Sequence, residues 1–384
     1  MTVTIRRVAI ATTLLAAFVV ALGAYTRLKD AGLGCPDWPG CYGFLTVPEH
    51  VDDIKIAEAR FPDTPVDADK GWPEMIHRYF ASLLGLLIVI QAALCIRYVK
   101  RQSSLAPLDA AGTRLPLKLP LFLVLLVICQ GLFGMWTVTL KLWPQVVSGH
   151  LLGGFATLSL LFLFVLRMSK RLSSTEQVDN RRHKTFLVSN LSKWAMVGLL
   201  LVVLQIFLGA WTASNYAALA CPDFPTCQGA WLPEMNVRSG FNLFQSIGPN
   251  YLGGVMDNES RVAIHVVHRL GALFLSVYLL IMSWHLWRGA SKAVKVALFW
   301  VLSALVMQVT LGILNVVWLI PLPLAVAHNA GGALLLLTMV YLNFQLFNVY
   351  SSRSEGEACS PLAASPNITK TNVPHYAKSA EVIS

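Results

Sequence analysis

The sequence is poor in charged residues. Asp, Glu, Lys and Arg make up 13% of its 384 residues, about half of the roughly 25% that is usual in soluble domains. The chain therefore lacks the polar side chains needed to coat a water-soluble globule, while 55% of its residues are hydrophobic. This balance excludes a disordered chain, a fibrous repeat and an ordinary cytosolic enzyme.

Acidic residues are the scarcer charged class, with 20 Asp and Glu against 30 Lys and Arg. A basic surplus can indicate nucleic-acid binding, but the apolar residues here are gathered into runs of about the length that crosses a bilayer. Because lipid offers the backbone no hydrogen-bond partners, we expect every run to be a helix. Eight spans are predicted, at residues 8–26, 76–96, 119–140, 148–166, 194–213, 264–286, 296–317 and 325–348.

The basic residues are sorted by side. Lys and Arg are concentrated at the N-terminus and in the loops after the second, fourth, sixth and eighth spans, while most acidic residues lie in the opposite loops. Under the positive-inside rule both termini are cytoplasmic. The net charge of +10 thus reflects membrane topology, so the lipid bilayer replaces nucleic acid as the expected partner.

The two halves of the chain repeat each other. Leu-Gly-Ala-Tyr-Thr at 22–26 recurs as Leu-Gly-Ala-Trp-Thr at 208–212, and the C-x5-C loop at 35–41 recurs at 221–227. The first span also resembles a cleaved signal peptide, but the recurrence of its ending in mid-chain favours a retained helix. A repeat of four helices keeps its orientation, because four is an even number of crossings.

We therefore predict an all-α membrane protein built as two tandem, pseudo-symmetric four-helix bundles. The N-terminal bundle is expected over residues 1–170 and the C-terminal bundle over 194–349. A basic cytoplasmic linker at 171–193 joins them. The polar segment at 350–384 is expected to be a disordered cytoplasmic tail.

Four of the nine histidines occupy equivalent places in the two halves, namely His77 and His150 in the first and His268 and His328 in the second. A single histidine within a span is most simply an interhelical hydrogen-bonding group. A duplicated pair instead indicates two imidazoles that hold a haem iron from both sides. The histidines without a repeat partner in loops or at a helix end receive no role: His50, His183, His285 and His375.

Zinc is the competing metal. A structural zinc takes four Cys or His ligands and a catalytic zinc takes three, whereas each half offers two symmetric histidines, so haem fits better. Glycines follow the ligands on the fourth helix of each half, where they would let a flat macrocycle approach the backbone or simply permit close helix packing. These glycines are Gly153, Gly154, Gly331 and Gly332.

Arg78 and Arg269 directly follow two of the histidines. Near the outer surface, they are candidates for neutralising haem propionates. The alternative is that each side chain extends to the interface only to keep its charge in water.

The halves differ at one place beside the histidines. Glu74 stands three residues before His77, whereas His265 stands three residues before His268. An i, i+3 spacing puts each pair on one helix face. Glu74 is thus a candidate general acid or base, the alternative being a solvated carboxylate near a helix N-terminus. The asymmetry indicates that the first half reacts and the second supplies electrons.

Four of the seven cysteines form two C-x5-C pairs in outer loops, where an oxidising compartment favours the disulfides Cys35–Cys41 and Cys221–Cys227. Each pair is either a staple for its loop or a redox-active pair that passes electrons. Both readings stand for Cys35 and Cys41, which are therefore catalytic candidates, while the staple is favoured for the second pair. The remaining cysteines lie in two spans and the tail, without a functional assignment: Cys95, Cys129 and Cys359.

With these motifs the sequence resembles the haem A synthase family. The resemblance is carried by Gly-Leu-Gly-Cys-Pro-Asp-Trp-Pro-Gly-Cys at 32–41, Glu-Met-Ile-His-Arg at 74–78 and the duplicated histidines, and it covers about residues 8–350. It implies a bacterial inner-membrane enzyme that oxidises the C8 methyl of haem O to a formyl group, giving haem A for terminal oxidases. The haem O-producing farnesyltransferase and an electron donor of unspecified kind are the expected partners.

The resemblance also implies residue roles. A b-type haem cofactor is expected on His268 and His328, with haem O near His77 and His150 and with Glu74 taking part in catalysis. Two alternatives remain open on the residues themselves. One is a two-haem b-type cytochrome that carries electrons from quinol, and the other is a membrane thiol oxidoreductase that uses the outer cysteine pairs.

Overall fold

The computed structural model describes residues 2–105, 117–173 and 186–358. Within these ranges the protein is helical, and its only extended pairings are the isolated bridges Cys41–Phe44 and Cys227–Ala230. The helices are α1 (Thr2–Leu28), α2 (Val51–Arg60), α3 (Ala68–Leu105), α4 (Lys118–Thr139), α5 (Pro144–Ser173), α6 (Phe186–Ser214), α7 (Val237–Gly240), α8 (Asn258–Trp287), α9 (Lys292–Val317) and α10 (Leu322–Ala358).

Eight of these helices are long and apolar enough to cross a membrane, namely α1, α3, α4, α5, α6, α8, α9 and α10. The predicted all-α membrane fold and its eight spans are therefore confirmed. Several helices extend well beyond the apolar core of their span, and α3 begins eight residues before the predicted start at Ile76. The short outer helices α2 and α7 have no apolar run and were not predicted from the sequence.

Helix contacts join each set of four spans into a closed ring. In the first half α1 contacts α3, α3 contacts α4, α4 contacts α5, and α5 returns to α1. In the second half α6, α8, α9 and α10 are connected in the same cyclic order. The rings meet through α1 with α10, α5 with α6, and α5 with α10, so the interface uses the first and fourth spans of both halves.

The repeat is also present in the backbone. Asp30, after α1, and Tyr216, after α6, both have φ near +54°, a left-handed conformation that non-glycine residues seldom adopt. Lys141 and Leu142 after α4 have the same conformation, as do Leu319 and Ile320 after α9. Equivalent helices thus end in the same sharp turn although the turn residues differ.

Two equivalent turns contact each other at the interface. The Tyr216 hydroxyl donates to Asp30 Oδ1 at 2.9 Å, and Arg27 Nη2 donates to the Ala213 carbonyl at 2.9 Å. Both bonds join residues that are 186 positions apart, which is the spacing of the repeat. The Arg27 guanidinium also lies 4.2 Å from the centroid of the Tyr216 ring, within range of a cation–π interaction.

The outer segment between α7 and α8 reaches across to the first half. Gln145 Nε2 donates to the Leu243 carbonyl at 3.0 Å, and Trp143 Nε1 donates to the Gln245 carbonyl at 3.2 Å. The backbone N–H of buried Tyr251 donates to the Lys141 carbonyl at 3.0 Å. The turn between α4 and α5 is therefore held by a segment of the other half.

We expect close packing in the second ring to make Gly198→Leu destabilising. A Cβ placed on Gly198 would lie 2.9 Å from Met339 Cε and 3.1 Å from Met282 Sδ, and such overpacking typically costs about 1–3 kcal/mol. Gly131→Leu is the matched control, because a Cβ there meets no atom within 4 Å. Thermal unfolding of the detergent-solubilised protein should show a lower Tm for the first variant alone; equal Tm values would contradict this packing.

Candidate functional site

Each of the four duplicated histidines packs its ring against a glycine of a neighbouring helix. In the first half, a Cβ on Gly23 of α1 would lie 2.9 Å from His77 Cε1, and one on Gly134 of α4 would lie 3.5 Å from His150 Cε1. Such distances leave little or no room for a side chain at these positions. The glycines therefore provide the space that the imidazole rings occupy between the helices.

The second half repeats these contacts. A Cβ on Gly209 of α6 would lie 3.2 Å from His268 Cε1, and one on Gly312 of α9 would lie 3.0 Å from His328 Cε1. No role was predicted from the sequence for Gly134 or Gly312. The two glycines could have been found from the spacing of the repeat, because Gly134 and Gly312 are 178 positions apart, as are His150 and His328.

Two of the glycines predicted to lie beside a macrocycle, Gly153 and Gly331, instead lie against glutamine side chains. Positions 153 and 331 are occupied closely by the side chains of Gln130 and Gln308, so that no Cβ would fit there. Gln308 Nε2 also lies 3.4 Å from His328 Nε2. Gly153 and Gly331 thus accommodate a glutamine amide from a neighbouring helix, and in the second half this amide also lies beside His328.

Glu74 lies in a buried ion pair with Arg78, three residues before His77 on α3. Its side chain is 6% exposed, its Oε1 accepts from Arg78 Nη2 at 2.6 Å, and its Oε2 accepts from the Cys35 backbone N–H at 3.0 Å. One carboxylate oxygen is therefore bound by the disulfide loop and the other by Arg78 of the same helix. A buried charge is stabilised only when it is paired and hydrogen-bonded in this way, which argues against the solvated carboxylate.

Arg78 connects this carboxylate to the disulfide loop. Its Nη1 donates to the carbonyls of Asp37, Pro39 and Gly40, so the guanidinium organises the backbone between the two cysteines. The loop is closed by the Cys35–Cys41 disulfide, and both cysteines are fully buried. The structure therefore gives Arg78 a definite role as an anchor of the loop.

Arg269 anchors the equivalent loop of the second half. Its guanidinium donates to the carbonyls of Cys221, Asp223 and Thr226 at 2.8–2.9 Å, and the Cys221–Cys227 disulfide closes the loop. Hydrogen bonds, first from the Thr226 hydroxyl and then from the backbone N–H groups of the turn, lower the pKa of Asp223 to about 2. This loop therefore keeps its carboxylate ionised at any physiological pH.

No carboxylate stands four residues before Arg269, where Glu74 stands before Arg78. The residue equivalent to Glu74 is His265, which is 5% exposed and whose Nδ1 has no hydrogen-bond partner. The two arginines thus share two equivalent backbone contacts, at Asp37 and Gly40 in the first half and at Asp223 and Thr226 in the second. Only Arg78 also forms a salt bridge with an acid. The asymmetry read from the sequence is present in the folded protein.

The histidines have properties expected of metal ligands. Within each half they lie on helices that stand opposite each other in the ring, His77 on α3 and His150 on α5, and His268 on α8 and His328 on α10. The Nδ1 atoms of three of them are buried without a partner, and these are His77, His150 and His328. An imidazole that binds iron through Nε2 keeps its proton on Nδ1, so this arrangement fits a pair of axial haem ligands.

A zinc site finds less support. Among the residues that the structure describes, no three His, Cys, Asp or Glu side chains come together as a candidate metal site, and zinc in proteins takes at least three such ligands. Two imidazoles from opposite helices of a bundle are the donor set of a six-coordinate haem. The donor set therefore favours haem in both halves.

Comparison with known proteins gives the family. Residues 6–340 match the profile described as COX15-CtaA, cytochrome oxidase assembly protein. The chain is 45% identical over 336 residues to "Heme A synthase" of Shewanella oneidensis, a match that covers 88% of this chain and 94% of that protein. It is 27% identical to "Heme A synthase" of both Parvibaculum lavamentivorans and Paracoccus denitrificans, over 82% and 84% of this chain and 86% and 82% of those proteins. The chain therefore belongs to the COX15-CtaA family of cytochrome oxidase assembly proteins.

Proposed function

We propose that this protein is a haem A synthase, which oxidises the C8 methyl of haem O to a formyl group and so supplies haem A to terminal oxidases. The observation that carries the proposal is the pair of histidine sites, only one of which has a buried carboxylate beside it. The 45% identity to a protein named "Heme A synthase" supports the same function. The protein is accordingly an oxidoreductase of haem A biosynthesis.

The two halves receive different haems in this proposal. Haem O, the substrate, binds in the N-terminal half at His77 and His150. Haem b is the resident cofactor of the C-terminal half, where His268 and His328 hold its iron. When bound, that haem supplies one-electron transfer. The closed helix rings support the division into bundles at 1–170 and 194–349, while most of the proposed linker and tail lies outside the described residues.

In this proposal Glu74 is the group that holds or transfers a proton during the reaction in the N-terminal half. It lies three residues before His77 on the same face of α3, and its carboxylate is kept in place by Arg78 and by the Cys35 N–H. Positioned carboxylates of this kind contribute typically 10²–10⁴-fold to a rate when they transfer a proton. Because one oxygen is held by the loop and the other by an arginine that itself binds the loop, the loop helps to fix the direction in which the carboxylate faces.

Cys35 and Cys41 are connected to Glu74 through the disulfide loop. Their disulfide fixes the backbone N–H that binds Glu74 Oε2. Exchange with an external thiol requires access to a sulfur atom, and both cysteines are fully buried. We therefore assign the pair to positioning Glu74, and Cys221–Cys227 to stapling the equivalent loop.

We place the protein in the bacterial inner membrane with both termini in the cytoplasm. The eight apolar helices support a multi-pass membrane protein, and the distribution of Lys and Arg between loops supports the orientation. The disulfides then face an oxidising compartment. A haem O-producing farnesyltransferase is the proposed supplier of substrate, and an electron donor completes the reaction.

Replacing Glu74 by Gln should stop turnover while leaving the cofactor in place. The amide has nearly the same shape and keeps an acceptor for the Cys35 N–H but cannot act as the acid or base. We expect haem A production to fall by at least about 100-fold, with haem b content unchanged, when pigments are analysed from a cell that makes haem O but no haem A. Production at the wild-type level would refute the role of Glu74.

Single histidine variants should distinguish the two sites. His268→Ala is expected to lose haem b, because a buried iron would lose an axial ligand, whereas His77→Ala should retain haem b and make no haem A. Extracted haems are identified by chromatography after purification from cells that make haem O. If the wild-type protein yielded two equivalents of protohaem and neither haem O nor haem A, a two-haem cytochrome would replace the synthase.

The orientation is testable with reporters. Alkaline phosphatase, which is active only outside the cytoplasm, should be inactive when fused after Ser384 and active when fused in the outer loop near Ser246. A fluorescent protein that fails to fold after export should give the reverse pattern. Phosphatase activity at the C-terminus would invert the proposed topology.

A further inference from the structure

Each disulfide loop is followed by a large apolar side chain that the rest of the protein leaves uncovered. In the first half the residue after the Cys41–Phe44 bridge is Leu45, which is 84% exposed. The equivalent bridge of the second half is followed by Trp231 and Leu232, which are 80% and 81% exposed. Leu45 and Trp231 are 186 positions apart, so the repeat keeps an exposed apolar residue here although its identity changes.

The backbone before these residues is the same in both halves. Tyr42 and Gly43 have φ values of 56° and 80°, and the equivalent Gln228 and Gly229 have φ values of 55° and 77°. Positive φ at both central residues is typical of a tight two-residue hairpin turn. The exposed apolar residues therefore follow the same turn in the same conformation.

Both hairpins are fastened to a membrane span near its outer end. Arg78 on α3 and Arg269 on α8 donate to carbonyls of their loops. In the first half the next residue also reaches the hairpin, because the Tyr79 hydroxyl donates to the Leu45 carbonyl at 2.6 Å. An aromatic side chain on a helix points back towards the helix N-terminus, which is the outer end of α3. Since the apolar run of α3 starts at Ile76, Leu45 lies at the level where the span begins.

Tyr79 belongs to a row of α3 side chains that face away from the protein. Leu83, Leu86 and Ile90 follow it at spacings of four, three and four residues, and the four side chains are 40–56% exposed. Such spacings put side chains on one helix face. Because this face is apolar, exposed and part of a membrane span, it faces lipid. The hairpin that carries Leu45 thus contacts the outer end of a lipid-facing row.

The second half repeats this row on α8. Four side chains stand 191 positions after those of α3 and are 46–61% exposed, namely Leu270, Phe274, Val277 and Ile281. Leu270 directly follows Arg269, the residue that binds the hairpin of this half. The hairpin before Trp231 is therefore fastened at the outer end of the equivalent row.

We infer that the side chains of Leu45, Trp231 and Leu232 insert into the outer membrane–water interface, so that each disulfide loop rests on lipid. This apolar surface is continuous with the lipid-facing rows, and tryptophan and tyrosine are enriched at this level of membrane proteins. Insertion removes apolar surface from water, which is favourable. In the first half the same loop binds Glu74 through the Cys35 N–H, so the bilayer is one of the contacts that hold the loop at the carboxylate.

A spin label reports where a side chain lies through its collisions with oxygen, which concentrates in lipid, and with a nickel chelate, which stays in water. Leu45→Cys and Trp231→Cys are labelled one at a time in the full chain, reconstituted into phosphatidylcholine–phosphatidylglycerol vesicles with the chelate on both sides. The cysteines outside the two disulfides are first replaced by alanine, at positions 95, 129 and 359. Leu83→Cys is the lipid control. Asp52→Cys is the water control, since the Asp52 side chain is 92% exposed.

The labels at positions 45 and 231 should give an oxygen-to-nickel accessibility ratio close to that of position 83 and several-fold above that of position 52. A ratio equal to that of position 52 would overturn the inference. Protection from both reagents would overturn it as well, because it would show that protein rather than lipid covers these side chains.

A second measurement needs no introduced cysteine. Leu45→Asp keeps the backbone carbonyl that accepts from Tyr79 but puts a charge at the interface, so the amides of residues 35–45 should exchange hydrogen several-fold faster than in the wild-type protein in the same vesicles. Val51→Asp is the matched control, because Val51 is also exposed, at 67%, but begins α2 beside Asp52. Equal exchange in the Leu45→Asp and wild-type proteins would contradict the lipid contact. Neither measurement involves haem, so the result is independent of the proposed function.

Discussion

A buried imidazole or carboxylate in this protein depends on the space and the partners that neighbouring helices and loops provide, because the surrounding lipid supplies no polar partner. The site is built from that constraint. Each buried imidazole takes the space left by a glycine on a neighbouring helix, as His77 does beside Gly23 and His328 beside Gly312. A larger residue at Gly23 or Gly312 would move the ring and its nitrogen atoms.

The same constraint explains why the loops matter to the chemistry. Glu74 could not remain buried as a carboxylate without Arg78, and Arg78 in turn takes its position from carbonyls of the disulfide loop. In the second half Arg269 holds its loop without any acid. Both halves thus share an arginine that anchors a loop, and the carboxylate distinguishes the half that we propose to react.

Much of this arrangement could be predicted from the sequence. Hydropathy located the eight spans, and the repeat identified the histidines, since equal spacing needs no knowledge of contacts. The partners of those histidines were harder to find, because Gly134 and Gln308 look like ordinary residues of an apolar helix. What they do depends on which helices are neighbours, and that is decided by the packing of the rings. The role of Arg78 was missed for a related reason, since backbone carbonyls leave no trace in a sequence motif.

The segment between α7 and α8 has a consequence for how the protein is made. Through its contacts with Lys141, Trp143 and Gln145, it secures the turn that leads into the helix of His150. In the proposed topology this segment follows five spans and must itself cross the membrane before it can make these contacts. The end of the first half that contains this turn is therefore completed only after part of the second half has been made. We accordingly expect haem to bind the finished chain rather than the growing one.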